Sequence, residues 1–296
     1  MTTAVDELVA QLWPGRRVRV ERLTGGMTNA NFLADFGDEQ VVLRIPGTNT
    51  RQLGIDRGFE AQANRLAASI GVAPEVIDES QSRGYMVTRF LVGRPVPPEE
   101  LGSEPMLDEV AKTLRRVHEA GTIDWQFNPF NVVRGYHELA HTNDVIEPFD
   151  FLLAQSVVDR IEAVRGFQPI AFCHNDLLNE NFLFDDQLRI LDWEYAGMGD
   201  PFFDLANFSI NHALTPDADG NLLTHYFGEL NSQHVALLRL MKLVSELREA
   251  MWGVVQLTLS SLDIDFAAYS KGKSDRFMML LEEMDLNTLL EAVAHA

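Results

Sequence analysis

Three polar residues in the second half of the chain have the types and spacing that phosphoryl transfer requires. Asp176 and Asn181 lie five residues apart in the stretch HNDLLNEN, and Asp192 follows in DWE after a short predicted hairpin. Phosphoryl transfer needs one carboxylate to accept the proton of the attacking hydroxyl, and an amide oxygen with a second carboxylate to hold Mg²⁺ on the nucleotide phosphates. Asp185 and Asp186 are typical turn residues. The hairpin that they close is expected to bring Asp192 back beside Asn181.

A glycine-containing turn near the start of the chain could approach the phosphates of a nucleotide. The sequence TGGMTN lies between two predicted strands. Its glycines, Gly25 and Gly26, let the backbone come close to phosphates, and its Thr28 and Asn29 can donate to phosphate oxygens. The pattern differs from the Walker A motif GxxxxGK[ST]. Arg44 lies on the third predicted strand of the chain, and its forked guanidinium can bind phosphate oxygens in bidentate fashion.

Three further residues complete the predicted nucleotide site. Glu60, early in the helix that follows, is the natural partner of Arg44. Its alternative role is that of an exposed helical glutamate near a helix N-terminus. Arg89 and Leu91 lie in the segment that joins the two predicted parts of the chain, where backbone groups could hydrogen-bond to adenine.

Charge and composition exclude several classes of protein. The 24 Lys and Arg residues against 44 Asp and Glu residues give a net charge of −20 and a pI near 4.7. Nucleic-acid binding is not expected, because it needs clustered basic residues that neutralise phosphates. The single cysteine, Cys173, excludes an intramolecular disulfide and fits the reducing cytoplasm. With no signal-peptide pattern and no apolar run of ~20 residues, we expect a soluble cytoplasmic protein without membrane insertion.

Hydrophobic periodicity divides the chain into a β-rich first part and a helical second part. A short helix with Val5, Leu8, Val9 and Leu12 on one face opens the chain, and a tight turn at Gly37 predicts a hairpin. The first part has predicted strands over 17–23, 30–36, 40–45, 75–78 and 85–91, with a helix over 57–70. The second part has predicted helices over 105–120, 148–166, 203–213, 233–261 and 275–293, with short strands over 171–173, 182–184 and 188–191.

This order of elements predicts an α+β fold with two lobes. Residues 1–91 are expected to form a small N-terminal β-rich lobe that binds the nucleotide. Residues 92–296 are expected to form a larger, mostly helical C-terminal lobe with the catalytic and acceptor-binding residues. The cleft between the lobes is the natural ligand site.

Several segments closely resemble the choline/ethanolamine kinase family, within the wider group of aminoglycoside-phosphotransferase-like kinases. The segment HNDLLNENF and the later ILDWEYAGMGDPFFDLANFS resemble the catalytic core of that family. The likeness extends to LTGGMTNANF, VVLRIPG, FNPFNVVRGY and REAMWGVVQ…DFAAY, so most of the chain is covered. The resemblance implies a protein-kinase-like fold, with ATP and Mg²⁺ as cofactors.

The resemblance also implies roles for the residues of the catalytic core. Asp176 would be the catalytic base that contacts the acceptor hydroxyl, and Asn181 and Asp192 would be Mg²⁺ ligands. His174 and Asp204 would order the catalytic loop and take no part in the chemistry.

The resemblance implies a small cationic alcohol as acceptor, with choline favoured. A quaternary ammonium has no N–H to donate, so aromatic faces and diffuse negative charge must recognise it. Trp252 and Tyr269 resemble aromatic pocket residues of the family, and Glu194 and Tyr195 are further candidates. Glu249 stands where some relatives have a second Trp, and its charge could replace the ring.

Other functions stay open on the sequence. Ethanolamine, thiamine and aminoglycosides are alternative acceptors for the same fold. A metal-dependent phosphoesterase could use His174, Asp176 and Asp192 as ligands. A pseudokinase without turnover is disfavoured because Asp176, Asn181 and Asp192 are all present. A monomer or a homodimer is expected.

Overall fold

An antiparallel sheet dominates the N-terminal part of the computed structural model, which describes residues 4–23, 28–260 and 262–294. Helix α1 (Ala4–Leu12) precedes this sheet, and helix α2 (Arg57–Ser69) interrupts it. Its strands are β1 (Arg19–Arg22), β2 (Asn29–Asp35), β3 (Gln40–Pro46), β4 (Val76–Ser80) and β5 (Tyr85–Arg89), in the order β1-β2-β3-β5-β4.

The hairpin predicted at Gly37 is confirmed. Strands β2 and β3 pair in antiparallel register from Asn29 opposite Pro46 to Asp35 opposite Gln40. Gly37 has a φ of 91°, a conformation that glycine adopts without steric cost. Below the sheet, buried side chains of β2, β3 and β5 pack with Val9 of α1 in a small separate core.

Helix α2 connects the sheet to the rest of the molecule. The carboxylate of Asp56 caps the helix by accepting from the backbone N–H groups of Gly58 and Phe59. Ala63 and Ala67 on the buried face of the helix belong to the main hydrophobic core. The side chains at the start of α2 are therefore held in a fixed position relative to both parts of the protein.

The C-terminal part is mostly helical. It contains β6 (Arg94–Pro95), α3 (Pro98–Leu101), α4 (Glu104–His118), α5 (Pro129–Thr142), α6 (Phe151–Arg165), β7 (Ala171–Cys173), β8 (Phe182–Phe184), β9 (Leu188–Ile190), β10 (Gly197–Gly199), α7 (Pro201–Asn211), α8 (Pro216–Phe227), α9 (Ser232–Leu259), α10 (Phe266–Glu282) and α11 (Leu286–Ala294). Strands β6, β8 and β9 form one small sheet, and β7 pairs with β10. The predicted α+β fold is confirmed, whereas the boundary at residues 91 and 92 stays a prediction.

Helix α9 is the central element of this part. It has 28 residues, and most of them are buried against α5, α7, α10 and α11. In the described part of the chain, no helix combines the length and the apolar character needed to cross a membrane.

Three helices, α3, α5 and α8, are absent from the predicted set, and one predicted helix is wrong. The missed helices α5 and α8 both begin with proline after a capping side chain, Asn128 and Thr215. The helix predicted over 275–293 is two helices, because Asp285 caps a new start by accepting from the backbone N–H of Thr288. The first of the two begins earlier, where Asp265 caps Ala268.

Asp204 of α7 fastens the loop that carries Asp176. The Asp204 side chain is fully buried, and its two oxygens accept from the backbone N–H groups of His174 at 2.8 Å and Asn175 at 2.6 Å. Nε2 of His118 lies 3.0 Å from the same carboxylate. The backbone of Asn175 has a φ of 67°, so these bonds stabilise a conformation that non-glycine residues seldom adopt.

Removing the Asp204 carboxylate should destabilise the whole protein. We predict that Asp204→Ala lowers the free energy of unfolding by roughly 2–6 kcal/mol, because each buried N–H left without an acceptor costs ~1–3 kcal/mol. Urea denaturation measures the change. Asp186→Ala, in an exposed turn, is the control and should stay within ~0.5 kcal/mol of wild type. Equal stability of the two variants would show that the Asp204 bonds contribute nothing.

Candidate active site

A cavity of about 440 Å³ lies between the five-stranded sheet, the loop after β7 and helix α9. Most of the predicted site residues line it. They are Thr28, Arg44, Arg89, Leu91, Asp176, Asn181, Asp192, Glu194, Tyr195, Glu249, Trp252 and Tyr269. Asn29 and Glu60 are buried beside the cavity and contact residues that line it. Gly25 and Gly26 lie outside the described residues.

Arg44 joins the sheet to the catalytic segment. Its Nη1 atom donates to Glu60 Oε1 at 2.6 Å and to Asp192 Oδ1 at 2.7 Å, and Nε donates to Asn31 at 3.3 Å. Burial disfavours the charge, but Asp192 and Glu60 together raise the pKa of Arg44, so the guanidinium stays ionised. The predicted pairing of Arg44 with Glu60 is therefore present. These bonds use Nη1 and Nε, which leaves Nη2 for a phosphate oxygen.

Glu194 receives three hydrogen bonds from the N-terminal part of the chain. Thr28 Oγ1 donates to it at 2.6 Å, Asn29 Nδ2 at 2.9 Å and Arg57 Nη1 at 2.9 Å. Burial and the nearby Asp192 carboxylate raise the pKa of Glu194, while Arg57 opposes this effect. Thr28 and Asn29, predicted as phosphate donors, thus bind a carboxylate in this structure.

Arg57 is a site residue that the sequence reasoning missed. Its Nη1 also donates to Glu60 at 2.6 Å, so one guanidinium bridges Glu60 and Glu194. The available signal was the spacing of three residues between Arg57 and Glu60, which places both on one face of α2.

Asp176 is buried next to the Arg248 guanidinium. Its Oδ1 accepts from Arg248 Nη1 at 3.2 Å, and its backbone oxygen accepts from Asn181 Nδ2 at 2.9 Å. Burial raises the pKa of Asp176, and Arg248 is the largest influence in the opposite direction. The Asn181 bond uses the amide nitrogen, so Oδ1 of Asn181 is the atom left for a ligand.

His174 contacts the backbone of the loop and does not line the cavity. It is fully buried, its Nε2 bonds to the backbone oxygen of Leu191 at 2.9 Å, and its Nδ1 accepts from the backbone N–H of Asp176 at 3.2 Å. Desolvation lowers the pKa of His174. Both ring nitrogens are therefore used to order the loop, as expected.

Two groups of side chains in the described part of the chain have the spacing of a metal-ligand set. One is Glu60, Asp192 and Glu194, and the other is His118, Cys173 and Asp204. His174 belongs to neither, although a metal-dependent phosphoesterase would use it. In the second group, burial raises the pKa of Cys173 well above its usual range, which keeps the thiol neutral.

Asp192 and Asn181 offer the donor atoms that Mg²⁺ prefers. Both line the cavity, one with a carboxylate and the other with an amide oxygen. Asp192 has a φ of 63° and binds Arg44 through Oδ1, which leaves Oδ2 for a cation. The residues present therefore fit a hard divalent ion.

Aromatic side chains form the far wall of the cavity. The rings of Trp252 and Tyr269 meet edge to face, with centroids 5.6 Å apart. Trp252 Nε1 donates to the Tyr195 hydroxyl at 3.0 Å, and the Tyr269 hydroxyl donates to Glu249 Oε2 at 2.8 Å. Trp252 also packs against Phe266, so it belongs both to the cavity wall and to the core.

Arg248 is the second site residue that the sequence reasoning missed. Its Nη1 contacts both Asp176 and Glu249, and its guanidinium lies over the Tyr195 ring, with Cζ 4.4 Å from the centroid. The signal was the charged pair Arg248-Glu249 inside a mostly apolar helical stretch, LVSELREAMWGVV, that also contains Glu246. Such a pair is buried only when partners neutralise it.

Comparison with known proteins identifies the family. Protein LicA of Haemophilus influenzae is 30% identical over 274 residues, which cover 88% of this chain and 79% of that protein. A structure of a choline/ethanolamine kinase family protein from Mesorhizobium loti is 30% identical, with a TM-score of 0.77 and coverage of 99% of this chain and 100% of the other. Choline kinase LicA from Streptococcus pneumoniae, at 23% identity, shares the fold, with a TM-score of 0.79 and coverage of 95% and 98%.

A family model described as the phosphotransferase enzyme family matches residues 19–240 of the chain. The matched range contains Arg44, Asp176, Asn181 and Asp192, and it ends inside α9. The fold and the arrangement of the cavity agree with this match, so the chain belongs to the phosphotransferase enzyme family.

Proposed function

We propose that this phosphotransferase transfers the γ-phosphoryl group of ATP to the hydroxyl group of choline. The observation that carries the proposal is one cavity with two chemically different ends. Arg44 and Asp192 lie at the end suited to phosphates, and Trp252 and Tyr269 lie at the end suited to a quaternary ammonium. Asp176 lines the same cavity, where a hydroxyl could meet the phosphoryl group.

Asp176 would act as the base of the reaction. The acceptor oxygen forms a bond to the γ-phosphorus while the bond from that phosphorus to the bridging oxygen breaks. ADP leaves with the electron pair of the broken bond, and the hydroxyl proton passes to the Asp176 carboxylate. Arg44 would bind phosphate oxygens and hold the donor in line.

Asn181 and Asp192 would hold the Mg²⁺ that accompanies ATP. When bound, such an ion neutralises charge on the phosphates and helps to orient them. The role of the protein is to present the carboxylate of Asp192 and the amide oxygen of Asn181. Arg44 fixes Asp192 by its 2.7 Å bond, and the backbone of Asp176 fixes Asn181 by its 2.9 Å bond.

The charges around the aromatic wall favour choline over ethanolamine. Both oxygens of Glu249 already accept hydrogen bonds, one from Arg248 and one from Tyr269. A primary ammonium loses hydrogen bonds to water when it enters such a site, whereas a quaternary ammonium has no N–H to satisfy. Ring faces of Trp252 and Tyr269 attract either cation.

A panel of acceptors tests the proposed function. We expect purified protein with Mg²⁺-ATP to give the highest kcat/KM on choline, with ethanolamine lower and with thiamine and kanamycin at background. ADP release and detection of the phosphorylated product by mass spectrometry are measured together. A higher kcat/KM on ethanolamine would move the assignment to ethanolamine kinase, and ADP release without a phosphorylated alcohol would reject every acceptor tested.

The metal ligands should differ in importance. Asp192→Ala should abolish the Mg²⁺-dependent part of ATP binding, and Asn181→Ala should weaken it less, because a neutral amide oxygen attracts Mg²⁺ less strongly than a carboxylate. Calorimetric titration of each variant with ATP, with and without Mg²⁺, measures this difference. A larger loss in Asn181→Ala than in Asp192→Ala contradicts the assignment.

Trp252 should determine affinity for the cation. Trp252→Ala should raise the choline KM about five- to thirtyfold, as loss of a cation–π contact of ~1–2 kcal/mol requires, with the ATP KM nearly unchanged. Trp252→Phe should recover part of the loss because a ring face remains.

A core variant separates this effect from lost packing. Phe266→Leu removes a buried ring that packs on Trp252 but does not line the cavity. We expect it to lower the thermal midpoint without raising the choline KM. If folded Trp252→Ala keeps the wild-type choline KM, the aromatic site is not where choline binds.

Two expectations about the protein in the cell stay predictions. We infer a cytoplasmic location because ATP and small alcohols are available in the cytoplasm. The lone Cys173 is also compatible with a reducing compartment, since it forms no disulfide within the chain. A monomer or a homodimer is the expected state.

A further inference from the structure

A continuous chain of polar contacts links the aromatic wall to Asp176. The Tyr269 hydroxyl donates to one oxygen of Glu249 at 2.8 Å, and Arg248 donates to the other oxygen of Glu249. The same nitrogen of Arg248, Nη1, donates to Oδ1 of Asp176 at 3.2 Å. Arg248 therefore lies between two carboxylates, that of Asp176 and that of Glu249.

The Arg248 guanidinium is held rigidly. The residue is 1% exposed, and its Cζ lies 4.4 Å from the centroid of the Tyr195 ring and 5.8 Å from that of Phe127. Among the described residues, its Nε and Nη2 atoms have no hydrogen-bond acceptor, and neither atom is open to solvent. Aromatic faces replace water around these nitrogens, which is a favourable environment for a guanidinium.

The contact leaves the two oxygens of Asp176 in different environments. Oδ1 is bound to Arg248, while the carboxylate as a whole lines the cavity. An incoming hydroxyl would therefore meet Oδ2. Free rotation of an unpaired carboxylate would spread its oxygens over several orientations, and only some of them can accept the proton in line with transfer.

We propose that Arg248 is a positioning residue, which fixes the Asp176 carboxylate so that Oδ2 accepts the proton of the acceptor hydroxyl. This inference rests on the proposed role of Asp176 as base. Glu249 contributes to this positioning, because it accepts a hydrogen bond from the same nitrogen of Arg248 and is itself held by the Tyr269 hydroxyl. Lysine cannot replace arginine here, since an ammonium lacks the flat face that packs on Tyr195.

A double-mutant cycle tests the proposal. At saturating ATP and acceptor, Arg248→Lys should lower kcat about 10- to 100-fold, the scale expected for a misplaced catalytic group, and change the ATP KM by less than about twofold. In an Asp176→Asn background the same substitution should change kcat by less than about threefold, because a residue that acts through Asp176 has nothing left to position. Equal factors in the two backgrounds, or an unchanged kcat in folded Arg248→Lys, would overturn the proposal.

Arg276→Lys is the matched control. Arg276 of α10 pairs with the buried Glu246 of α9 at 2.5 Å. Glu246 lies one turn before Glu249 on α9, and Arg276 does not line the cavity. This variant keeps the charge and loses the guanidinium, as Arg248→Lys does. We expect its kcat to stay within about twofold of wild type. An equal fall of kcat in both Arg→Lys variants would overturn the proposal, because it would reflect the packing of α9 in general.

A second variant covers the case in which Arg248→Lys does not fold. Arg248→Gln with Glu249→Gln removes one positive and one negative charge together, so the buried charge balance is kept. Its kcat should fall by a similar factor, again without effect in the Asp176→Asn background, and a wild-type kcat would overturn the proposal. The acceptor used is the alcohol that the wild-type protein phosphorylates fastest. A substrate other than choline therefore changes the proposed function and leaves this test intact, while a wild-type kcat in Asp176→Asn rejects the base itself.

Discussion

Buried carboxylates that need a cation determine how this cleft is built. Asp176, Glu194, Glu249 and Glu60 are all at most 9% exposed. An isolated buried carboxylate is costly, because it loses its hydration, and it tends to bind a proton unless a cation and hydrogen bonds replace water. Three arginines, Arg44, Arg57 and Arg248, supply the cations. The cleft is therefore already ordered before a ligand enters.

The arginines come from elements that are far apart in sequence. Arg44 lies in the sheet, Arg57 begins α2, and Arg248 lies in the middle of α9. Each bond works only if these elements keep their positions. The shared hydrophobic core of α2 with the C-terminal part provides that constraint, and the bonds in turn hold the two parts together across the cavity. Packing and electrostatics thus depend on each other.

Residues within one motif could be predicted from the sequence, and tertiary partners could not. Asp176, Asn181 and Asp192 share a loop and a hairpin, so spacing alone placed them together. Arg57 and Arg248 contact their distant partners only when separate elements pack together, and the local sequence does not indicate which residues those partners are. In the same way, the sequence gives no sign that the hydroxyl of Thr28 donates to a carboxylate 166 residues away, and the phosphate contact expected of Thr28 stays a prediction. Helix ends depended on single capping residues, which is why the break near Asp285 was missed.

The short segment 192–195 contributes side chains to both ends of the cavity. Asp192 binds Arg44 at the end proposed for the nucleotide, and Glu194 binds Thr28, Asn29 and Arg57. The next residue, Tyr195, accepts from Trp252 and packs against Arg248 on the acceptor side. Since these side chains lie on one short, mostly buried piece of backbone, a shift of the segment toward either end would disturb the other. In the proposed reaction, the distance between the phosphate donor and the acceptor wall would therefore be set by the backbone geometry of this segment.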